Sequence, residues 1–363
     1  MIKMPSRKWW VRFAIGLAWT PIAAEVFLRI FAPVPMLPRY IQAGSHGVRT
    51  NMPSQTYRHQ TPEYTVEIRT NSQGMRADQD FTPRKPDGTR RIAILGDSFG
   101  MGYGVDLEDS SLFLLQVELE KALGCPVEVM NFSVSGFGAA EELVVLENEA
   151  LAFEPDLVIQ YFCSNDPTDD VRAGLFGVTD DGIARTGDVY LPAVKIREFL
   201  FSFAPYRWLA GESHLFNLTR DRAGTIVKDM LAKIRSNSDD QKKPATKEET
   251  PSSDGRPPIT RNQLLTRAIL GAIRDRSSEA GAEFLILSIP VRRDRETFFD
   301  RFPYIEDETL PVVTPIDAFH AQEGAMLYWE RSHGHWTPRG CRLIAEALSR
   351  EIISKDLLGE ACR

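Results

Sequence analysis

The spacing of apolar residues changes along the chain, and each change predicts a different element. From Trp9 to Phe31 the residues are almost continuously apolar. The run is close to the roughly 20 residues that a bilayer core requires, which predicts a single membrane-spanning helix. Pro21, Glu25 and Arg29 interrupt it, and the two charges, one helical turn apart, can pair with each other. Between 34 and 89 the pattern shifts to alternation. Tyr64, Val66 and Ile68 are separated by polar residues and lead into Asn71-Ser72-Gln73-Gly74, which predicts a strand and a turn within a small β extension.

From Arg91 onward, short apolar runs alternate with longer segments of helical periodicity. The order is RIAILGDS, a helix over about 110–123, PVEVMNFSV, a helix around 139–151, and DLVIQYFCSND. This βαβαβ rhythm predicts a parallel sheet with helices on its faces. It stops after Asp166 and resumes near Arg261 with a helix through about Ala280, the strand EFLILSIPV, the apolar piece VVTPIDAF and a final helix after Thr337. The intervening 167–260 reads as an insertion. Its REFLFSFAPYRWLAG and TRDRAGTIVKDMLAKIRS segments carry apolar residues at helical spacing, whereas 236–258 has almost none and is expected to be disordered. The expected organisation is therefore a cytoplasmic tip and anchor over 1–33, a β extension over 34–89, and an α/β domain over 90–355.

Composition sets limits on partners. The chain has 363 residues, 43% hydrophobic and 26% charged, with a net charge of −7; this is ordinary globular composition and argues against nucleic acid as a partner. Lys3, Arg7, Lys8 and Arg12 precede the first apolar run, and Trp9, Trp10 and Trp19 sit where interfacial aromatic residues are common. That charge bias places the N-terminus inside and the remainder outside the membrane, and no small-residue cleavage site follows the run. The four cysteines, Cys125, Cys163, Cys341 and Cys362, have neither metal-ligand nor disulfide-framework spacing. Asn217-Leu218-Thr219 has the pattern of a glycosylation acceptor.

The chemistry concentrates in RRIAILGDSFGMGYGV, residues 90–105. A phosphate loop of the Walker type would need a lysine that is missing, and a dinucleotide fingerprint would need a different glycine spacing. A plain turn accounts for the glycines but not for Asp97-Ser98 at the carboxyl end of the first strand, where open α/β sheets place their sites. A nucleophilic serine requires a base and oxyanion donors. Of the six histidines, His335 is best placed, because Thr337 as N-cap and Pro338 at the first helical position put it on the loop ahead of the last helix. His333 and His335 could face one ion, but no third ligand stands at a recognised spacing. No metal or cofactor is therefore expected.

Gly96-Asp97-Ser98, Gly136 within NFSVSGFG, Asn165-Asp166 and His335 occur in the order of the four blocks of the SGNH (GDSL-type) hydrolases. Over about 90–348, interrupted by the insertion, the chain resembles that family, and GDSFGMGYGV with the preceding IRTNSQGMR is similar to its membrane-anchored bacterial members. The resemblance implies a three-layer α/β/α, flavodoxin-like fold with a parallel sheet of about five strands. It also implies roles: Ser98 as nucleophile, His335 as base, and the Ser98 and Gly136 amides with the Asn165 side chain as oxyanion donors. Asp97 and Asp166 are expected to be structural.

Two departures stand out. Cys163 occupies the place of the third block's usual glycine, and no aspartate stands two or three residues before His335, where Ser332 and His333 are found. His335 would then be oriented by a backbone carbonyl, by His333, or by a carboxylate such as Glu330 or Asp317. The resemblance and the topology together suggest an ester or acylated glycan of the cell envelope as substrate, with the domain on the periplasmic side. The alternatives are a polysaccharide O-acyltransferase and a binding or assembly protein that has lost its chemistry.

Overall fold

The structure, a computed structural model, describes residues 6–36, 39–180, 182–224, 226, 259–294, 297–300, 302, 309–322, 324–332 and 334–359. Helix α1 (Arg7–Phe31), whose N-cap is Ser6, precedes two antiparallel hairpins. These are β1 (Ile41–Ala43) with β2 (Arg49–Asn51), and β3 (Thr56–Gln60) with β4 (Thr65–Arg69). Among the described residues α1 is the one helix long and apolar enough to cross a membrane, over Lys8–Phe31.

The α/β domain opens with β5 (Arg90–Leu95), α2 (Ser111–Leu123), β6 (Val127–Asn131), α3 (Ala139–Asn148), β7 (Leu157–Phe162) and α4 (Asp166–Ala173). The insertion follows, with the hairpin β8 (Phe176–Thr179) and β9 (Gly182–Arg185), then α5 (Val194–Ser202), α6 (Ala204–Glu212) and a helix α7 over 214–224. The chain returns through α8 (Arg261–Glu279), β10 (Glu283–Ser288), the hairpin β11 (Val291–Arg292) and β12 (Phe298–Phe299), β13 (Val312–Val313), α9 (Ile316–His320) and α10 (Pro338–Ser354). Much of the expected TRDRAGTIVKDMLAKIRS helix, and all of 236–258, lie outside the described residues.

The main sheet has the order β13-β10-β7-β5-β6 and is parallel throughout. Side chains alternate across it. Ile92 and Ile94 pack with Ile159 and Leu285 under α2 and α10, while Ala93 and Leu95 pack with Val158 and Ile286 under α3 and α8. Both faces are buried, which is why these strands read as unbroken apolar runs. The chain goes from β5 to β6 on one side and returns to β7 on the other, so the carboxyl ends of β5 and β7 form a topological switch point.

Local signals set the helix starts. Ser110 caps α2, Thr260 and Gln263 form a reciprocal capping box on α8, and Thr337 caps α10 with Pro338 in its first turn. The β extension is not a free appendage. Tyr57, Tyr64, Val66 and Ile68 form a small core with Met101 and Tyr103 of the glycine-rich loop after β5.

Two features that spacing leaves open take definite form. Asn217 is fully buried, and its amide donates to the Ala210 and Ser213 carbonyls, so the acceptor triplet does not present its asparagine to solvent. Cys125 is disulfide-bonded despite the uninformative spacing, while Cys163 and Cys341 are free and buried. Cys362 lies outside the described residues.

Candidate active site

Strand β5 is carried by Ile92 to Leu95, all fully buried, and releases Ser98 at the switch point, where it is half-buried. From the other end of the domain, Thr337 ends the approach to α10 and holds His335 one residue outside the capped turn. Ser98 Oγ and His335 Nε2 are 2.7 Å apart. That is the distance of a hydroxyl donating to an imidazole nitrogen, with a base in reach of the proton it would take.

The imidazole is fixed by its surroundings. His335 is 9% exposed, with the Phe99 ring 4.8 Å from it and the Tyr103 ring 4.9 Å from it. Its carbonyl accepts the Trp329 amide at 2.8 Å, and the Thr337 amide donates to the Leu327 carbonyl at 2.9 Å. A short antiparallel pairing therefore holds the backbone while two rings limit rotation of the side chain. Of the residues considered as orienters, His333 lies outside the described residues. Glu330 is exposed, and its amide donates to Glu63. Asp317 lines a hollow with Arg350 and Ser354, three turns or more along α10 from the end where His335 sits, roughly 18 Å at 1.5 Å per residue.

The other expected site residues leave the sheet at the same edge. Gly136 has φ +82°, in the left-handed region that favours glycine, on the loop between β6 and α3. Asn165 is exposed at the N-cap of α4, and its Nδ2 donates to Asp169 Oδ2 at 2.5 Å. In this arrangement the amide is engaged with a carboxylate one turn along the helix, so it would have to leave Asp169 to serve an oxyanion.

Asp97 is buried, and its Oδ1 accepts the Phe99 amide at 2.8 Å, which shapes the turn after Ser98. Burial pushes its carboxyl up to about 6, partly offset by that amide and by the Cys163 side chain. The cysteine in the glycine position is thus a buried thiol beside Asp97. Asp166 is fully buried and accepts the Cys163 amide at 3.0 Å. It belongs to a floor of carboxylates beneath the loops. Gln160 Nε2 donates to Glu142 Oε2 at 2.9 Å and reaches Asp166 Oδ2 at 3.4 Å. Burial, and then the mutual repulsion of these acids, holds Glu142 and Asp166 well above the ordinary carboxylate range. Among the described residues no group of three or more histidine, cysteine or acidic side chains could hold a metal ion.

Residues that sequence reasoning missed come from the β extension. Arg49 Nη2 donates to the Gly136 carbonyl at 2.6 Å and pairs with both Glu141 oxygens, at 2.8 and 3.0 Å. Arg76 is buried and donates to the Met101, Gly102 and Val105 carbonyls, tying down the glycine-rich loop. Glu63, in the turn between β3 and β4, accepts the Glu330 amide at 3.0 Å and the Arg331 amide at 2.6 Å. Ser332 Oγ donates to Thr61 Oγ1 at 2.9 Å beside it. Burial alone would raise the Glu63 carboxyl, but hydrogen bonds from Ser332 and these two amides leave it below its usual value. Each loop of the candidate site except that of Asn165 is thereby braced by at least one extension side chain gripping main-chain atoms.

The flavodoxin-like α/β/α fold thus brings a serine hydroxyl and an imidazole into contact at the switch point of its parallel sheet. No family model matches the sequence, and no curated protein matches it. Among solved structures the chain is similar to an acetylxylan esterase from Geobacillus stearothermophilus, at 13% identity over 73% of this chain and 94% of that one, with a TM-score of 0.39. It is also similar to a lipase/acylhydrolase from Enterococcus faecalis (15% identity, 73% and 96% covered, TM-score 0.37). A third is an α/β hydrolase from the metagenome of Lake Arreo, Spain (13% identity, 76% and 98% covered, TM-score 0.39). Likenesses this distant do not carry chemistry across, which rests on the site itself.

Proposed function

We propose that this chain is a serine esterase of the SGNH type, and the 2.7 Å contact between Ser98 Oγ and His335 Nε2 is the observation that carries the reading. Ser98 Oγ attacks the ester carbonyl as its proton passes to His335 Nε2; the tetrahedral oxyanion collapses, the alkoxide leaves with that proton, and an acyl-Ser98 remains. Water, deprotonated by the same imidazole, then releases the acid. The Ser98 and Gly136 amides serve the oxyanion, joined by Asn165 once its amide turns from Asp169. The Phe99 and Tyr103 rings beside the imidazole help to hold it in place for this step.

The substrate class follows from openness and side. Gly136 and Asn165 are exposed, so the site admits an ester carried on a large molecule, such as an O-acetyl group of a cell-envelope glycan. Reading α1 as an anchor with basic residues before it supports a domain outside the cytoplasm, and a disulfide at Cys125 suits an oxidising compartment. A fluorophosphonate probe is expected to label the full-length chain at Ser98, and Ser98→Ala to abolish both labelling and hydrolysis of p-nitrophenyl acetate. Folded protein that takes no label and hydrolyses at background would instead be a binding or assembly protein.

A further inference from the structure

Helices α5 and α6 turn Val194 and Ala210 inward but leave large apolar side chains in the open: Ile196, Phe199, Phe203 and Trp208 are 65%, 64%, 50% and 64% exposed. Ile196 and Phe199 share one face of α5, and Phe203, the extended residue that joins α5 to α6, sets its ring 5.1 Å from that of Phe199. Lys195, Arg197 and Arg207 are exposed among them, while the nearby acid Glu198 is paired with Arg39 at 3.0 Å. Apolar rings fringed by basic groups on short helices are the composition of a segment that lies in a membrane interface.

Placement relative to α1 decides the occupant. Glu25 of α1 accepts Ser213 Oγ at 2.8 Å, the His214 amide at 3.0 Å and the Leu215 amide at 2.8 Å, which caps the turn from α6 into α7. Arg29 donates to Glu25 at 2.8 Å and to the Glu212 carbonyl, and the Val34 amide donates to His214 Nδ1 at 3.1 Å. Trp208 is one turn before Glu212, on the same helical face. Glu25 lies six residues before Phe31, the last residue of α1, a depth of roughly 9 Å at 1.5 Å per residue. A carboxylate at that depth is tolerable because its oxygens are met by donors within the protein.

We propose that α5 and α6 form a second membrane contact, lying in the headgroup–acyl boundary of the leaflet into which the C-terminal end of α1 emerges. The rings of Phe199, Phe203 and Trp208 enter the acyl layer, and Lys195, Arg197 and Arg207 meet anionic phosphates. This rests on the reading of α1 as an anchor. The catalytic domain is then held against the membrane at two points rather than swinging on one helix.

The test uses the full-length chain in vesicles of phosphatidylethanolamine and phosphatidylglycerol that contain a phospholipid with a photoactivatable diazirine on its acyl chain. Mapping of crosslinked peptides is expected to find lipid on both 7–31 and 194–212. The double variant Phe199→Ser with Trp208→Ser is expected to lose the lipid on 194–212 and keep that on 7–31. Lipid on 7–31 with none on 194–212 would overturn the proposal, leave the anchor in place and assign the apolar face to a protein partner. Lipid on neither would overturn the anchor reading and this proposal with it.

Discussion

Ser98, Gly136 and Asn165 reach the site from loops that leave the sheet, and His335 from the loop that starts its last helix. Arg49, Glu63 and Arg76 come instead from two small hairpins and the turn after them, which share no strand with that sheet. On the proposed reading, the first group supplies the groups that would meet an ester. The second presents side chains to main-chain atoms of the first group's loops: Arg49 to the Gly136 carbonyl, Arg76 to the loop after Ser98, Glu63 to the amides ahead of His335. The contrast teaches that the sheet supplies the reacting groups while the extension supplies their rigidity. A site on loops needs such support, because small displacements of reacting atoms are costly.

The largest effect that would sharpen this division is expected at the sheet edge. His335→Gln keeps a polar side chain of similar reach between Phe99 and Tyr103 but cannot act as a base at neutral pH. The kcat for p-nitrophenyl acetate is expected to fall by roughly 10³ or more, with an unchanged circular dichroism spectrum. A loss below about ten-fold would mean that Ser98 is activated by something else, and the pairing of these two groups would lose its catalytic meaning.

Next come the extension residues. Arg49→Lys keeps a cation beside Glu141 but gives up the planar fork that reaches both Glu141 and the Gly136 carbonyl. A lowering of kcat by roughly ten-fold at nearly constant KM is expected, less than the cost of deleting an oxyanion donor outright. Glu63→Gln retains one acceptor for the Glu330 and Arg331 amides, and a reduction of roughly three-fold is expected, with the variant more sensitive to temperature in activity than in unfolding. Variants that melt earlier yet turn over at the parental rate would show that the extension stabilises the fold without positioning the site.

The two groups also differ in how far the sequence reveals them. The Asp97-Ser98 pair is legible because a buried strand ends there, and His335 because Thr337 and Pro338 mark a helix start whose capping chemistry is local. Arg49 and Glu63 carry no such mark: Glu63 meets the Glu330 amide across 267 residues, so nothing near either residue signals the contact. The triplet at Asn217 is uninformative for the same reason, since the burial of its asparagine is a property of packing rather than of three adjacent letters. Asn165 falls between these cases. Its position at the end of β7 is legible, but its turn toward Asp169 depends on α4 beginning at Asp166, so that the two side chains lie one helical turn apart.

The smallest expected effect separates the regions by the sign of their response to pH. Glu63, in the extension, has a carboxyl below its usual value, so its contribution to stability is present above the unfolded pKa and is lost as pH falls through the folded one. Asp170, under the sheet edge, behaves oppositely. It is fully buried, its Oδ1 accepts the Ala140 amide at 2.8 Å, and its Oδ2 accepts the Thr266 hydroxyl. Burial outweighs those hydrogen bonds and pushes its carboxyl up to about 7. Between the ordinary value and about 7 the folded chain therefore holds a proton that the unfolded chain has released, and stability falls as pH rises through that window and levels off above it. Glu141, pushed up to about 7 by burial in spite of Arg49, adds to the same slope. The unfolding midpoint is expected to drop by roughly 5 °C between about pH 5 and pH 8. Asp170→Asn keeps an oxygen for the Ala140 amide and offers an N–H to the Thr266 oxygen, so it should fold and show a shallower slope, whereas Glu63→Gln should leave that slope as it is. A midpoint that rises over the same range would mean that Asp170 and Glu141 are ionised throughout it, and the raised carboxyls ascribed to the sheet edge would have to be abandoned.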